Sequence, residues 1–314
     1  MKRNMKCLNW LKTILVIEFI LLPMIFTGCG AVTYFNYDKN GVITGLTQSG
    51  KNVTQIDIPG EMGGVTITAI GNKAFINDNN LESITMSNSI RSIGKFAFSG
   101  CTKLKSATLS NNLTDIGEFA FSGCVGLSNV AIPSSAKNIG SSAFHTCNSL
   151  SNIIIPRNVT NVGHHAFCDC GNLRSVTILG NITTISYCVF EDCESLLSVT
   201  LPSSVTYIDD YAFFGCRSLT RITIPNGVTT IGEESFKGCS LLTSIIIPNS
   251  VCSIGQSAFK NCSFLESIFC EAVAEPSGWD SLWNNSNRPV YWYSETAKDG
   301  NYWHYVNGVP TKWN

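Results

Sequence analysis

Charge is scarce in this chain. Lys and Arg number 21 and Asp and Glu 22 among 314 residues, so charged side chains make up 14% and the net charge is −1. About 25% is ordinary for a soluble domain. The few charges are spread evenly, and without a basic stripe the chain lacks the electrostatic footprint of a nucleic-acid-binding protein. Histidine is scarcer still, with four residues at His145, His164, His165 and His304. No Ser–His–acid order, phosphate loop or paired-carboxylate motif accompanies them, so the chain reads as a non-enzyme without a cofactor. Nor is there an uninterrupted apolar run of the ~20 residues that a bilayer span needs. Lys12 and Glu18 break the one segment that comes near.

That segment has a different use. Lys2, Arg3 and Lys6 precede a mostly apolar stretch from Leu11 to Phe26, and Phe26-Thr27-Gly28-Cys29 closes it. A basic start, a short apolar stretch and small residues at its end are the layout of a secretory signal peptide. The ending resembles a bacterial lipobox, with Phe26 where Leu is commoner and Glu18 inside the apolar stretch. The resemblance implies removal of residues 1–28, lipidation of Cys29, export and attachment to a membrane through the lipid. An uncleaved anchor is the alternative.

What the chain has in abundance is period. Cysteines stand at Cys101, Cys124, Cys147, Cys170, Cys193, Cys216, Cys239 and Cys262, each 23 residues after the last. A phenylalanine precedes each by three residues, from Phe98 to Phe259, and Phe75 extends that series one unit earlier, where Asp78 replaces the cysteine. Leucines run from Leu81 to Leu265 in the same step, followed by apolar pairs two apart such as Ile153/Ile155 and Ile222/Ile224. An Ile-Gly pair closes several units, as at Ile116-Gly117 and Ile139-Gly140. Alternation over Ile-x-Ile predicts a short strand with one face inward, and the proline that often follows ends it. Glycine after Ile is expected to permit a bend. Ala-Phe-x-x-Cys, too short for a free helix, is expected to form turns or 3₁₀ segments across the back. One unit buries too little to fold alone, so the coils must stack.

The unit Leu219–Cys239, Leu-Thr-Arg-Ile-Thr-Ile-Pro-Asn-Gly-Val-Thr-Thr-Ile-Gly-Glu-Glu-Ser-Phe-Lys-Gly-Cys, resembles the BspA-like leucine-rich repeat, and the match covers about two-thirds of the chain. The resemblance implies a β-rich leucine-rich-repeat solenoid with short parallel strands and turns and 3₁₀ segments on the back. It also implies a secreted or surface protein of a bacterium, with adhesion or binding of proteins as its role. The expected organisation is a signal peptide over 1–28, a linker and cap over 29–52, the solenoid over 53–270 and an aromatic cap over 271–314.

Four places could carry chemistry. The cysteine ladder reads as packing thiols, because in-register side chains point parallel rather than at one another. His164, His165, Cys168 and Cys170 have metal-ligand types but too little convergence in the sequence for a zinc site, so no metal is assigned. The outward strand positions Thr108, Asn129, Asn152, Ile154, Thr177, Thr200, Arg221, Thr223 and Ile246 form a mostly polar face. They are the candidate binding surface for a protein or glycan at the cell envelope, although Ser and Thr are also simply comfortable on exposed strands. The tail holds five of the six tryptophans, and Tyr302–Trp313 reads as a β-hairpin turning at Asn307-Gly308. Trp292, Trp303 and Trp313 are its candidate sugar or protein contacts, the other reading being a cap over the last coil.

Overall fold

The computed structural model describes residues 34–313; the signal-peptide segment and Cys29 lie outside them. The described residues are a β-solenoid in which one sequence period is one turn. Most regular coils carry a strand of two to four residues at Ile-x-Ile and a two-residue strand before the glycine; at Ile222–Ile224 the first of these does not form. Asn152–Ile155, Ser175–Ile178 and Ser198–Thr200 pair in parallel, with Asn152 opposite Ser175 and Ser175 opposite Ser198. The short strands Ala69–Ile70, Ser92–Ile93, Asp115–Ile116, Asn138–Ile139 and Asn161–Val162 make a second parallel ladder. Pairing partners are 23 residues apart because the strand period of two keeps the same side chains inward only in that register.

The core is a set of columns. Phe75 to Phe259 stack ring on ring, with centroids 4.9–5.8 Å apart and planes within 18° of parallel. Coil spacing of ~4.8 Å allows this offset stacking and nothing else in line. At the two ends the geometry turns edge-on. Phe35 meets Phe75 at 81°, and Trp283 meets Phe259 at 83°. Beside the rings, every cysteine of the ladder is a free, buried thiol. Each donates to the carbonyl of the phenylalanine 26 residues earlier, at 3.0–3.3 Å.

Of the two alternatives open for the back, turns are the one that forms. The Phe-x-x-Cys segments are not 3₁₀ helices; among the described residues only Gly50–Asn52 is one. Instead, three overlapping turns join Ala97 N–H to Gly94 O, Ser99 N–H to Phe96 O and Cys101 N–H to Phe98 O. The amides between them, of Phe96, Phe98 and Gly100, donate to Glu118, Ala120 and Ser122 of the next coil at 2.7–2.9 Å. A 3₁₀ helix spends its amides within itself; alternating turns leave every second one free to bind the neighbouring coil. The arrangement requires positive φ at two positions per coil, here Phe96 (57°) and Gly100 (74°). The glycine of Ile-Gly opens the first of these turns, as Gly94 does, but its φ is not left-handed, and the reason for glycine is steric. A Cβ on Gly140 would lie 2.6 Å from the Glu118 nitrogen, and one on Gly163 2.4 Å from that of Ser141. Glycine is there because consecutive coils cross too closely for a side chain.

Ser186 and Asp209 occupy that glycine column in the middle of the stack. The first short-strand ladder ends there, at Asn161–Val162, and another begins at Thr184–Ile185. A void of about 10 Å³ lined by Val162, Ile185, Ser186 and Phe190 lies at the break.

Both ends of the repeat are closed by strands that leave the period. Phe35–Tyr37 and Val42–Leu46 form an antiparallel hairpin whose second strand pairs with Ala69–Ile70. At the other end, Val290–Tyr293 and Tyr302–Val306 extend the sheet of Ser267–Cys270 in parallel, and Val309–Lys312 returns antiparallel. The hairpin turns at Asn307 (φ 52°) and Gly308 (φ 77°), both left-handed as its two-residue turn demands.

Candidate functional site

The longer strands alternate, so their outward residues form rows. Asn152 aligns with Ser175 and Ser198, and Ile154 with Thr177 and Thr200. Thr108, Asn129, Asn152, Ile154, Thr200, Arg221 and Thr223 are exposed, and Thr177 and Ile246 half-buried. Ile154 is 57% exposed, an apolar side chain with nothing over it. Within the first row neighbouring coils are tied together by Ser175 Oγ, which donates to Asn152 Oδ1 at 2.6 Å. The rows stop at the tail: Ile246 pairs with Phe269 and Phe269 with Tyr291, whose ring covers it at 5.6 Å.

The tail tryptophans are anchored by their indole N–H groups. Trp303 is completely buried against Phe269, Tyr293 and Tyr305, and donates to Cys270 O at 2.9 Å. It is therefore withdrawn from the candidate contacts: the parallel strand it belongs to faces it into the end of the solenoid. Trp279 and Trp283 are buried too, bonded to Val251 O and Glu275 Oε1. Trp313 is half-buried, bonded to Ser294 O and stacked on His304 at 3.6 Å. Trp292 is half-buried and lines an open cleft of about 430 Å³ together with Glu275, Asn284, Arg288 and Asn301.

On the back of the central coils the repeat assembles residues that are far apart in sequence. His145 Nε2 lies 3.2 Å from Asp169 Oδ2, and Cys168 Sγ lies 3.6 Å from the same oxygen. Cys168 Sγ is also 3.6 Å from Glu191 Oε2. His165, Cys188 and Glu191 form a second such group, and within each group the donor atoms lie within 4.8 Å of one another. Both thiols are buried, while the imidazoles and carboxylates reach the surface. Burial lowers the His165 pKa, favouring its neutral form, against the pull of Glu191. Burial, then the hydrogen bond to Glu191, pushes the Cys188 thiol up to about 12.

The grouping differs from the one that sequence proximity suggests. His164 is exposed and belongs to neither group, and Cys170 donates to Phe144 O in the core. His145, Asp169, Cys188 and Glu191 enter instead. The signal was legible in register: His145, Cys168 and Glu191 share one 23-residue column, and His165 and Cys188 share another.

The family model described as "BspA type Leucine rich repeat region", in six copies, matches residues 68–197 and 185–284. The chain belongs to the BspA-type leucine-rich repeat family. Among solved structures, a leucine-rich repeat protein from Bacteroides ovatus is 30% identical with a TM-score of 0.72, over 82% of this chain and 69% of that one. The leucine-rich repeat protein of T. pallidum is 32% identical with a TM-score of 0.56, over 59% of this chain and 88% of that one. No curated protein matches the sequence. The BspA-type pattern is a record of coil packing, so membership assigns the columns and leaves the exposed rows to the individual protein.

Proposed function

We propose that this BspA-type protein is a non-enzymatic scaffold on a bacterial cell surface, exported, held by a lipid on Cys29, and binding a protein partner along its outward strand rows. The observation that carries the reading is an exposed, nearly uncharged surface of Asn129, Asn152, Ile154, Thr200, Arg221 and Thr223, held in register by strand pairing at Asn152, Ile154 and Thr200. Strands held in place by the core ladders present hydrogen-bonding side chains at fixed spacing, and little ordering is left to be done on binding. The lipid anchor is supported by the Phe26–Cys29 pattern. Adhesion follows from placing such a surface outside the cell.

The test is a double substitution, Thr177→Arg with Thr200→Arg, in the middle of the rows. Binding of envelope and host extracellular proteins should be lost while the melting temperature stays within a few degrees. Undiminished binding would overturn the assignment to this face. Intact-mass measurement of the membrane fraction should show a diacyl or triacyl modification on Cys29 and no residues before it.

A second reading rests on the tail cleft, where Trp292 stands beside Asn284, Arg288 and Asn301. An aromatic face next to planar polar groups suits a sugar ring. Glycan-array binding abolished by Trp292→Ala, with strand-face variants unaffected, would favour it over protein binding.

A further inference from the structure

We propose that the two groups on the back of the central coils, His145–Cys168–Asp169 and His165–Cys188–Glu191, are binding sites for a zinc-class divalent cation. The expectation of no metal rested on residues adjacent in sequence; the solenoid brings together others, by placing side chains one period apart side by side.

Four observations support the assignment. The donor sets are one imidazole, one thiol and one carboxylate each, a nitrogen–sulfur–oxygen combination suited to zinc rather than to calcium or magnesium. In tetrahedral zinc with bonds of ~2.0–2.3 Å, neighbouring donors sit about 3.3–3.8 Å apart. His145 Nε2 to Asp169 Oδ2 is 3.2 Å and Cys168 Sγ to Asp169 Oδ2 is 3.6 Å, so the first group already has two edges of that tetrahedron. The other imidazole nitrogen, His145 Nδ1, is engaged by Thr146 Oγ1 at 2.8 Å, which orients the ring with Nε2 toward the group. Finally, the repeat does not call for these residues. The His145 column holds Ser99 and Ser122 before it and Phe214, Lys237 and Lys260 after it, while the His165 column holds Phe119 and Ser142 before and Tyr211 and Glu234 after. Packing alone is met by serine, phenylalanine, tyrosine or lysine there, yet His, Cys and Glu follow one another in three consecutive coils of the first column, and His and Cys in two of the second, where they meet.

Glu191 Oε2 lies 3.6 Å from Cys168 Sγ as well as belonging to the second group, so its carboxylate stands between the two sites. Three protein donors per cation leave the fourth position, on the solvent side, for water or for a donor from a partner. On binding, each thiol gives its proton to solvent and the thiolate becomes a ligand; nothing is oxidised or reduced.

The test uses the purified full chain, stripped with a chelator and titrated with Co²⁺ and then Zn²⁺. Thiolate-to-cobalt charge-transfer absorption and tetrahedral d–d bands should saturate at two equivalents per chain and be abolished by zinc. Cys168→Ser and Cys188→Ser should each remove one equivalent. Serine is the repeat's own residue in both columns, at Ser122 and Ser142, so both variants should melt as the parent does in chelator. Cys239→Ser, in the core ladder, should bind as the parent does. Absence of the bands, their persistence in the Cys168→Ser/Cys188→Ser double variant, or a Cys168–Cys188 disulfide by mass would overturn the proposal. Saturation of the parent at one equivalent, lost in either variant, would overturn the two-site arrangement.

Discussion

At the scale of the residue, the ladder cysteines show how little of a side chain's chemistry need be used. Each thiol lies beside a stacked ring and donates to a carbonyl that already accepts an amide: Phe121 O receives both Cys124 N–H and the Cys147 thiol. Burial raises the pKa of Cys147, Cys193 and Cys239 well above that of a free thiol. Alkylation needs the thiolate, so at pH 8 these thiols should resist iodoacetamide in the folded chain while exposed Cys252 reacts. Reaction in denaturant should reach all of them, and peptide mass mapping reads the difference. Cys147→Ala should cost about 1–2 kcal/mol in urea unfolding, mainly for the cavity, because Phe121 O keeps its amide partner. Raised reactivity of the ladder in the native state would mean that the coils open locally.

At the scale of the element, the decisive contact is the crossing of consecutive coils at Ile-Gly. Gly140→Ala places a methyl 2.6 Å from backbone atoms of Glu118 and Gly117, neither of which is the free end of a side chain. Destabilisation of about 1–3 kcal/mol is expected, as for an overpacked core. Gly171→Ala, where an added Cβ meets nothing within 4 Å, is the control and should be near neutral. The Ser186 crossing marks the converse case: the ladder breaks, a small void opens, and the metal-ligand cluster sits over the same coils. The turns of the back obey the same logic, accepting left-handed backbone at Phe96, His165 or Cys188 because alternate amides then bind the next coil. That left-handed column cost is set by the stack and recurs whatever residue stands there.

At the scale of the molecule, stability belongs to the stack and its ends rather than to any one coil. The tail covers the last ring, Phe259, with Trp283 and seats Trp303 over Phe269. Removing residues 271–314 should expose both and lower the melting temperature by several degrees or abolish solubility, and differential scanning calorimetry measures it. Trp303→Ala should reproduce much of that loss, at about 3–5 kcal/mol. A truncated chain that melts like the parent would return the whole aromatic tail to the list of binding candidates.

Much of the fold was legible because a 23-residue period states it many times over. Phe98, Cys101, Leu104 and their successors identify the core columns, and the Ile-x-Ile alternation identifies which residues face out, since both depend only on local pleat and on repetition. The hairpin at Asn307-Gly308 was legible for the same local reason, a backbone conformation that few residue pairs adopt. What the tertiary structure alone decided depends on contacts between coils. The glycine column exists because neighbouring backbones approach to within a methyl group. The back forms turns rather than 3₁₀ segments because alternate amides serve the next coil. Trp303 is interior because its strand adds in parallel to the last sheet. His145, Cys168 and Asp169 meet because one turn of the solenoid converts a separation of 23 residues into side-by-side contact, a distance that no local motif in the chain expresses.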